Sequence, residues 1–277
     1  MKRTLLLMLL FATSVLGFAA QKTIMVSTGK TDLVMQVAPN GRLYQVYLGD
    51  RLTDPSEYDK LDWSVYAASD GAVCKRGHEV CATSGAEDFF EPALAITHAD
   101  GNMTTYLYYK DMATRAVDGG VETVITLQDK AYPVTVRLHY VAYAKENVIK
   151  AWSEVEHKEK SPITLFRYSS TMLYFRASQY FLTSYHSDWA REGQPETEKL
   201  TTGKKVIDTK LGTRAAMPTE PFFELGFDAP AREDEGRVML GTIGWPGNFR
   251  FTFEVDNVGA LRVIPAINPY ASDSRLK

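Results

Sequence analysis

Phe249-Arg250-Phe251-Thr252-Phe253-Glu254-Val255 alternates apolar and polar side chains without a break. An extended chain turns successive side chains to opposite faces, so three phenylalanines and a valine point one way and Arg250, Thr252 and Glu254 the other. This is the pattern of a half-buried β-strand. Val134, Val136, Leu138 and Tyr140 interleave with Thr135, Arg137 and His139 in the same manner, and similar runs occupy residues 42–48, 121–128, 149–155, 163–168 and 261–264. Turn signals separate them, at Asn40-Gly41, Asp70-Gly71, Asp100-Gly101, Asp118-Gly119-Gly120 and Asp256-Asn257-Val258-Gly259. Helical periodicity is nearly absent beyond residue 20 and no strand–helix–strand alternation occurs, which disfavours doubly wound and α/β-barrel folds and leaves sheet packed on sheet. The expected fold is all-β, a large antiparallel β-sandwich in one domain covering residues 21–277, and a chain of 277 residues that is 45% hydrophobic can fill such a core. Residues 51–62 and 184–205 resist the strand reading and are predicted as long loops. His139 falls on the outward phase of its strand and is predicted to face solvent.

The first residues speak to compartment. Met1-Lys2-Arg3 is a cationic start, residues 5–10 are apolar, and Gly17-Phe18-Ala19-Ala20 supplies small residues for cleavage, so residues 1–20 read as a secretory signal peptide and the mature chain as exported, periplasmic or extracellular. No later run approaches the ~20 apolar residues that a membrane span requires. Without Lys2 and Arg3 the chain has 29 basic against 34 acidic residues, a net charge of −5. Nucleic acid is therefore excluded as an expected partner, since phosphate binding needs clustered cations.

Cys74 and Cys81 are the two cysteines, and the spacing around Gly77 suits a bridge across a hairpin in an oxidising compartment. Two free thiols packed as small hydrophobes is the competing reading. No metal site is expected, because Cys74, His78 and Cys81 supply three ligands where structural zinc takes four. No cofactor motif is present either: a phosphate-binding glycine loop, a Gly-x-Ser-x-Gly elbow and a His-Glu-x-x-His helix are all missing.

His186-Ser187-Asp188-Trp189-Ala190-Arg191-Glu192 places an imidazole, a carboxylate, an indole and a guanidinium within seven residues. Sugar sites are built from such parts, an aromatic face against the C–H side of a pyranose and planar charged groups on its hydroxyls. Asp188, Trp189 and Arg191 are the main candidates; the competing reading is a structural turn in which Trp189 plugs a sheet end. Two further clusters are Asp88-Phe89-Phe90-Glu91-Pro92 and Ile243-Gly244-Trp245-Pro246-Gly247-Asn248-Phe249, the latter contributing Trp245 and Asn248 as candidate sugar contacts. Both also make ordinary strand ends. No catalytic residue is nominated: glycoside cleavage needs two carboxylates facing one bond, and 34 acidic residues leave the choice open.

Several ordered motifs are less generic. Residues 185–192, Gly203-Lys204-Lys205-Val206-Ile207-Asp208-Thr209-Lys210-Leu211-Gly212-Thr213-Arg214-Ala215-Ala216, Pro221-Phe222-Phe223, residues 241–249 and Gly85-Ala86-Glu87-Asp88-Phe89-Phe90-Glu91-Pro92-Ala93 closely resemble the amino-terminal domain of glycoside hydrolase family 36 α-galactosidases, across roughly residues 22–277. The resemblance implies a supersandwich of the galactose-mutarotase-like type that precedes a catalytic (β/α)8 barrel. It further implies terminal α-linked galactose in oligosaccharides as substrate, and a sandwich that helps close the pocket and build a homo-oligomer. In that family the barrel holds both catalytic aspartates, so no catalytic residue is carried over to this chain. Phe90 stands where many relatives have Arg. A stand-alone carbohydrate-binding module is the main rival reading, and an aldose epimerase using His186 a more distant one. The strand pattern at residues 261–264, followed by Asn268-Pro269-Tyr270, leads to the expectation that a returning strand is missing.

Overall fold

The computed structural model describes residues 22–58, 60–61, 66–67, 75–76, 78–86, 88–212, 218–270 and 274–277. The segment read as a signal peptide lies outside them, as do the Asp70-Gly71 turn and Cys74, and with Cys74 the disulfide reading. Cys81 is buried, and burial pushes its thiol up to about 12.

The chain opens with β1 (Lys22–Ser27), β2 (Thr31–Val37) and β3 (Leu43–Asp50), then a one-turn helix α1 (Pro55–Tyr58). Next come β4 (Tyr66–Ala67) and β5 (Lys75–Arg76), which pair with each other, and β6 (His78–Glu79), which adds to β3. β7 (Leu94–Thr97) precedes four long strands, β8 (Leu107–Val117), β9 (Gly120–Asp129), β10 (Val134–Tyr143) and β11 (Val148–His157), a meander in spatial order β11-β10-β9-β8. β12 (Ile163–Tyr168) pairs with β7. The remaining strands are β13 (Leu173–Arg176), β14 (Tyr180–His186), β15 (Gln194–Leu200), β16 (Gly203–Asp208), β17 (Thr219–Phe227), β18 (Arg237–Thr242), β19 (Phe249–Val255), β20 (Ala260–Ile267) and β21 (Ser274–Leu276). They build two four-stranded sheets, β13-β20-β19-β16 and β15-β14-β17-β18, while β21 joins the edge of β12. Every pairing between these strands is antiparallel. Among the described residues no helix is long and apolar enough to cross a membrane.

Alternation along the strands generates two apolar cores. Ile24, Met35, Ile125, Val136, Leu138 and Tyr140 fill the first, between the β1-β2-β3-β6 sheet and the meander. Phe249, Phe251 and Phe253 fill the second, meeting Leu182, Phe223 and Leu225 of the β15-β14-β17-β18 sheet. Phe223 stands edge-on to Phe251 and Phe253, with centroids 5.0 and 4.9 Å away. Full burial contributes roughly 2 kcal/mol or more for each such ring, and edge-to-face packing adds to it. Neighbours on one strand serve different cores: Tyr174 and Ile264 belong to the first, Phe175, Leu261 and Val263 to the second. The β13-β20-β19-β16 sheet is therefore the shared middle layer.

The fold is the expected antiparallel sandwich, with local corrections. Residues 184–205 are not a loop: they hold the end of β14, all of β15 and the start of β16. β15 is an edge strand whose residues up to Lys199 are mostly exposed, so apolar alternation, the cue for a strand, never develops there. Residues 51–62 contain α1, capped by Asp54, whose carboxylate accepts the Ser56 amide (2.9 Å) while Glu57 accepts the Asp54 amide (3.4 Å). His139 does not face solvent. It is 8% exposed because β10 is an interior strand roofed by its neighbours. Nδ1 lies 2.9 Å from Glu122 Oε1, and the ring stacks on Trp152 at 4.6 Å. A strand also returns after Tyr270: β21 pairs Leu276 with Ile163, which corrects the expectation that none does.

Candidate functional site

β14, β17 and β18 deliver their connections to one end of their sheet, because Ser184 faces Phe223 and Phe222 faces Thr242 near that end. The β14–β15 connection is a tight turn whose backbone is satisfied internally. Asp188 and Arg191 exchange N–H···O bonds in both directions (3.3 and 2.9 Å), and Ala190 sits at φ 58°, a left-handed conformation that an alanine adopts at a cost. The Trp189 amide donates to the Asp188 carboxylate (2.7 Å) and the Ala190 amide to Glu192 (3.2 Å). Buried Ser187 anchors the turn: its hydroxyl donates to Glu220 at the start of β17 (2.6 Å) and accepts the Gly193 amide (3.0 Å). The consequence is a braced platform. Trp189 stands at its tip, 85% exposed, and among the described residues no carboxylate pairs with the Arg191 guanidinium. The sheet-plug reading of Trp189 is thereby excluded, while one carboxylate oxygen of Asp188 is engaged in the turn itself.

Trp245 and Asn248 lie in the β18–β19 connection. Asn248 is a fastener: its Oδ1 accepts the Gly212 amide (2.9 Å) and its carbonyl accepts the Asn268 amide (2.9 Å). Asn268 in turn donates to Asp208 and to the Thr209 carbonyl, so the connections after β16, β18 and β20 form one laced unit. The Trp245 ring lies across Gly247, where a Cβ would stand 2.5 Å from the indole nitrogen, and remains 43% exposed. Both tryptophan-bearing loops are tied to the first residues of β17, one through Glu220 and the other through the Pro221 carbonyl, which accepts from Thr242 Oγ1 (2.7 Å) and the Ile243 amide (3.4 Å). Residues 213–217 of the motif run lie outside the described residues.

The Asp88–Pro92 cluster has a role that its sequence did not reveal. Arg262, with a side chain 8% exposed, donates to both Asp88 carboxylate oxygens (2.8 and 3.1 Å) and to the Glu91 carbonyl (2.7 Å). Its guanidinium lies 5.3 Å from the Phe90 ring and 5.2 Å from the Tyr174 ring. Glu91 meets Arg167 and Lys204, and its amide donates to Glu254 (2.7 Å). Burial holds the Glu254 carboxyl above its ordinary range in spite of Arg262 and Lys204 nearby, and burial together with Arg250 lowers Arg167. Opposite charges are matched throughout, so this cluster clamps residues 88–92 onto the middle sheet. One signal was available: Arg262 is a charge inside a strand that is otherwise apolar.

His186 ends β14 with Nε2 3.1 Å from Glu196 across the hairpin, the two side chains 44% and 69% exposed. Among the described residues no group of three His, Cys, Asp or Glu side chains is placed to hold a metal ion.

Residues 41–277 match the family model described as the glycosyl hydrolase family 36 N-terminal domain. The chain is 28% identical over 267 residues to the α-galactosidase AgaA of Geobacillus stearothermophilus, covering 87% of this chain and 36% of that protein. It is 24% identical over 203 residues to the α-galactosidase Mel36A of Lactobacillus acidophilus, covering 68% and 28%. The fold superposes on a crystal structure of an AgaA variant in complex with 1-deoxygalactonojirimycin with a TM-score of 0.82 at 25% identity, over 92% of this chain and 38% of that one. Another AgaA variant, crystallised with raffinose, gives a TM-score of 0.81 at 25% identity, over the same 92% and 38%. The chain thus spans about a third of the length of the proteins it matches.

Proposed function

Because the chain belongs to the glycosyl hydrolase family 36 N-terminal domain family, we propose that it is the accessory sandwich of an α-galactosidase, shaping the pocket for α-galactoside oligosaccharides and building the oligomer beside a catalytic (β/α)8 barrel. The observation that carries this reading is the braced Trp189 platform, an exposed indole with the Arg191 guanidinium, which no carboxylate among the described residues pairs, at the loop end shared with Trp245. An aromatic face and a planar cation are the groups that a pyranose ring and its hydroxyls call for. Raffinose-type sugars, as held by the AgaA variant, are the proposed ligands. Export follows from the cationic start and apolar run of residues 1–20. Chemistry is assigned to the barrel, so the chain alone turns nothing over.

The test supplies a family 36 catalytic region in trans and measures hydrolysis of raffinose. The purified chain is expected to be inert toward an aryl α-galactoside, and its addition to raise kcat/KM. Trp189→Ala should remove about tenfold of that gain, ~1.4 kcal/mol, with an unchanged melting temperature because the ring buries so little. Turnover by the chain alone would refute the reading. Saturable binding of raffinose by the chain alone, with no effect on the catalytic region, would favour the stand-alone carbohydrate-binding module instead.

A further inference from the structure

The β15-β14-β17-β18 sheet ends in an edge that nothing among the described residues covers. β17 occupies one side of β18, from Phe222 opposite Thr242 to Phe227 opposite Arg237, and the other side leaves alternate N–H and C=O groups of residues 237–242 to solvent. The side chains do not suit that exposure. Val238 is 41% and Leu240 62% exposed on the outward face, alongside half-buried Phe181, Tyr185 and Phe222 of the neighbouring strands. Exposed edges are ordinarily guarded by charge or proline. The opposite edge of the same sheet is so guarded, by Pro195, Glu196, Glu198 and Lys199 in β15. β18 carries one charge, Arg237 at its first position, and Asp228 takes it up at 2.7 Å.

We propose that β18 is a self-association edge, through which two copies of this chain pair antiparallel about a two-fold axis at Leu240 and merge their sheets. Only an extended strand satisfies a row of bare backbone groups, and β18 is complementary to itself. With Leu240 opposite its own copy, Val238 falls opposite Thr242 on the outward face, and on the inner face Met239 falls opposite Gly241. That glycine is overlain by Phe223 of the same chain, since a Cβ there would lie 2.2 Å from its ring. Charge selects the direction. Antiparallel pairing sets the acidic run Glu233-Asp234-Glu235 against Trp245, Pro246 and Gly247 of the other copy, whereas parallel pairing would align the two acidic runs. Such an isologous interface closes at two copies.

This inference rests on the assembly half of the proposed function and names its surface. Sedimentation velocity on the purified chain tests the first, and cysteine pairing tests the second. Residues directly opposite across an antiparallel pair have Cα atoms ~4.5–5.5 Å apart, inside the range of a disulfide. Leu240→Cys should therefore cross-link to its own copy under mild oxidation, while Lys199→Cys on the guarded edge stays at the background of the unsubstituted chain. Leu240→Lys should weaken the dimer at least tenfold with the melting temperature retained; the cross-link decides the matter if that variant unfolds. A dimer that ignores Leu240→Lys and forms no 240–240 disulfide overturns the β18 edge and leaves the assembly reading standing. A chain that stays monomeric at ~100 µM and does not cross-link overturns both.

Discussion

Lowering the pH should weaken this fold through one imidazole in particular. His78 lies in β6 beside β3, is 8% exposed, and stacks face to face on Tyr174 at 4.3 Å and 2°. Burial, together with the Arg176 and Arg262 cations, pushes it down from an ordinary 6.5 to about 4, against a smaller opposing pull from Asp88. The unfolded chain therefore takes up a proton near pH 6.5 that the native chain refuses until about pH 4, and stability falls as pH drops through that window. At pH 5 the unfolded imidazole is mostly charged and the native one mostly neutral, which relative to pH 7.5 amounts to about 2 kcal/mol. His78→Phe keeps a ring on Tyr174 and removes the titration. Urea unfolding at pH 7.5 and pH 5 should show the unsubstituted chain losing about 2 kcal/mol more than the variant, or ~0.7 M in midpoint at a slope near ~3 kcal/mol per M. The carboxylates titrate in both proteins and cancel in the comparison. Equal losses in the two proteins would refute the reasoning, for they would mean that His78 charges in the folded state as readily as in the unfolded one.

Two further substitutions test the packing around the proposed surfaces. Asp88→Ala strands the buried Arg262 guanidinium and should cost ~3 kcal/mol or more in unfolding free energy, with part of the loss recovered in Asp88→Ala/Arg262→Met; additive losses would show that the clamp is not a coupled pair. Gly241→Ala drives a Cβ to 2.2 Å from Phe223, itself buried in the second core, and should lower stability by roughly 1–3 kcal/mol, read from the thermal melt.

The candidate site was legible in parts. Residues 186–192 announced themselves by crowding an indole, a carboxylate and a guanidinium into one short stretch, and the turn does present Trp189 and Arg191 outward. Two of the other candidates have a second use that the sequence did not show. Asp188 and Asn248 carry groups that suit a sugar hydroxyl, yet such groups suit an unsatisfied backbone amide equally well, and in a sheet-end turn the amide is nearer. Which use prevails depends on where the adjoining loop comes to rest. The partner of Arg262 was not legible, because Asp88 and Arg262 are 174 residues apart and meet only when residues 88–92 fold over the middle sheet.

Strand identity was decided locally, by alternation so strict in β19 that its boundaries were predicted without error. Such runs need no partner to be recognised, since the period of two comes from backbone geometry alone. Strands that are exposed at an edge or buried on both faces show no such phase. β15 is mostly exposed and shows no apolar phase, while β20 is buried nearly end to end because one face serves each core. Burial on the outward side of β10 was likewise set by tertiary structure: His139 follows the polar phase of its strand, but the roof over it is built by Trp152 and Glu122 from the flanking strands. Sequence periodicity determines which way a side chain points; only the neighbours brought in by the fold decide whether water waits there.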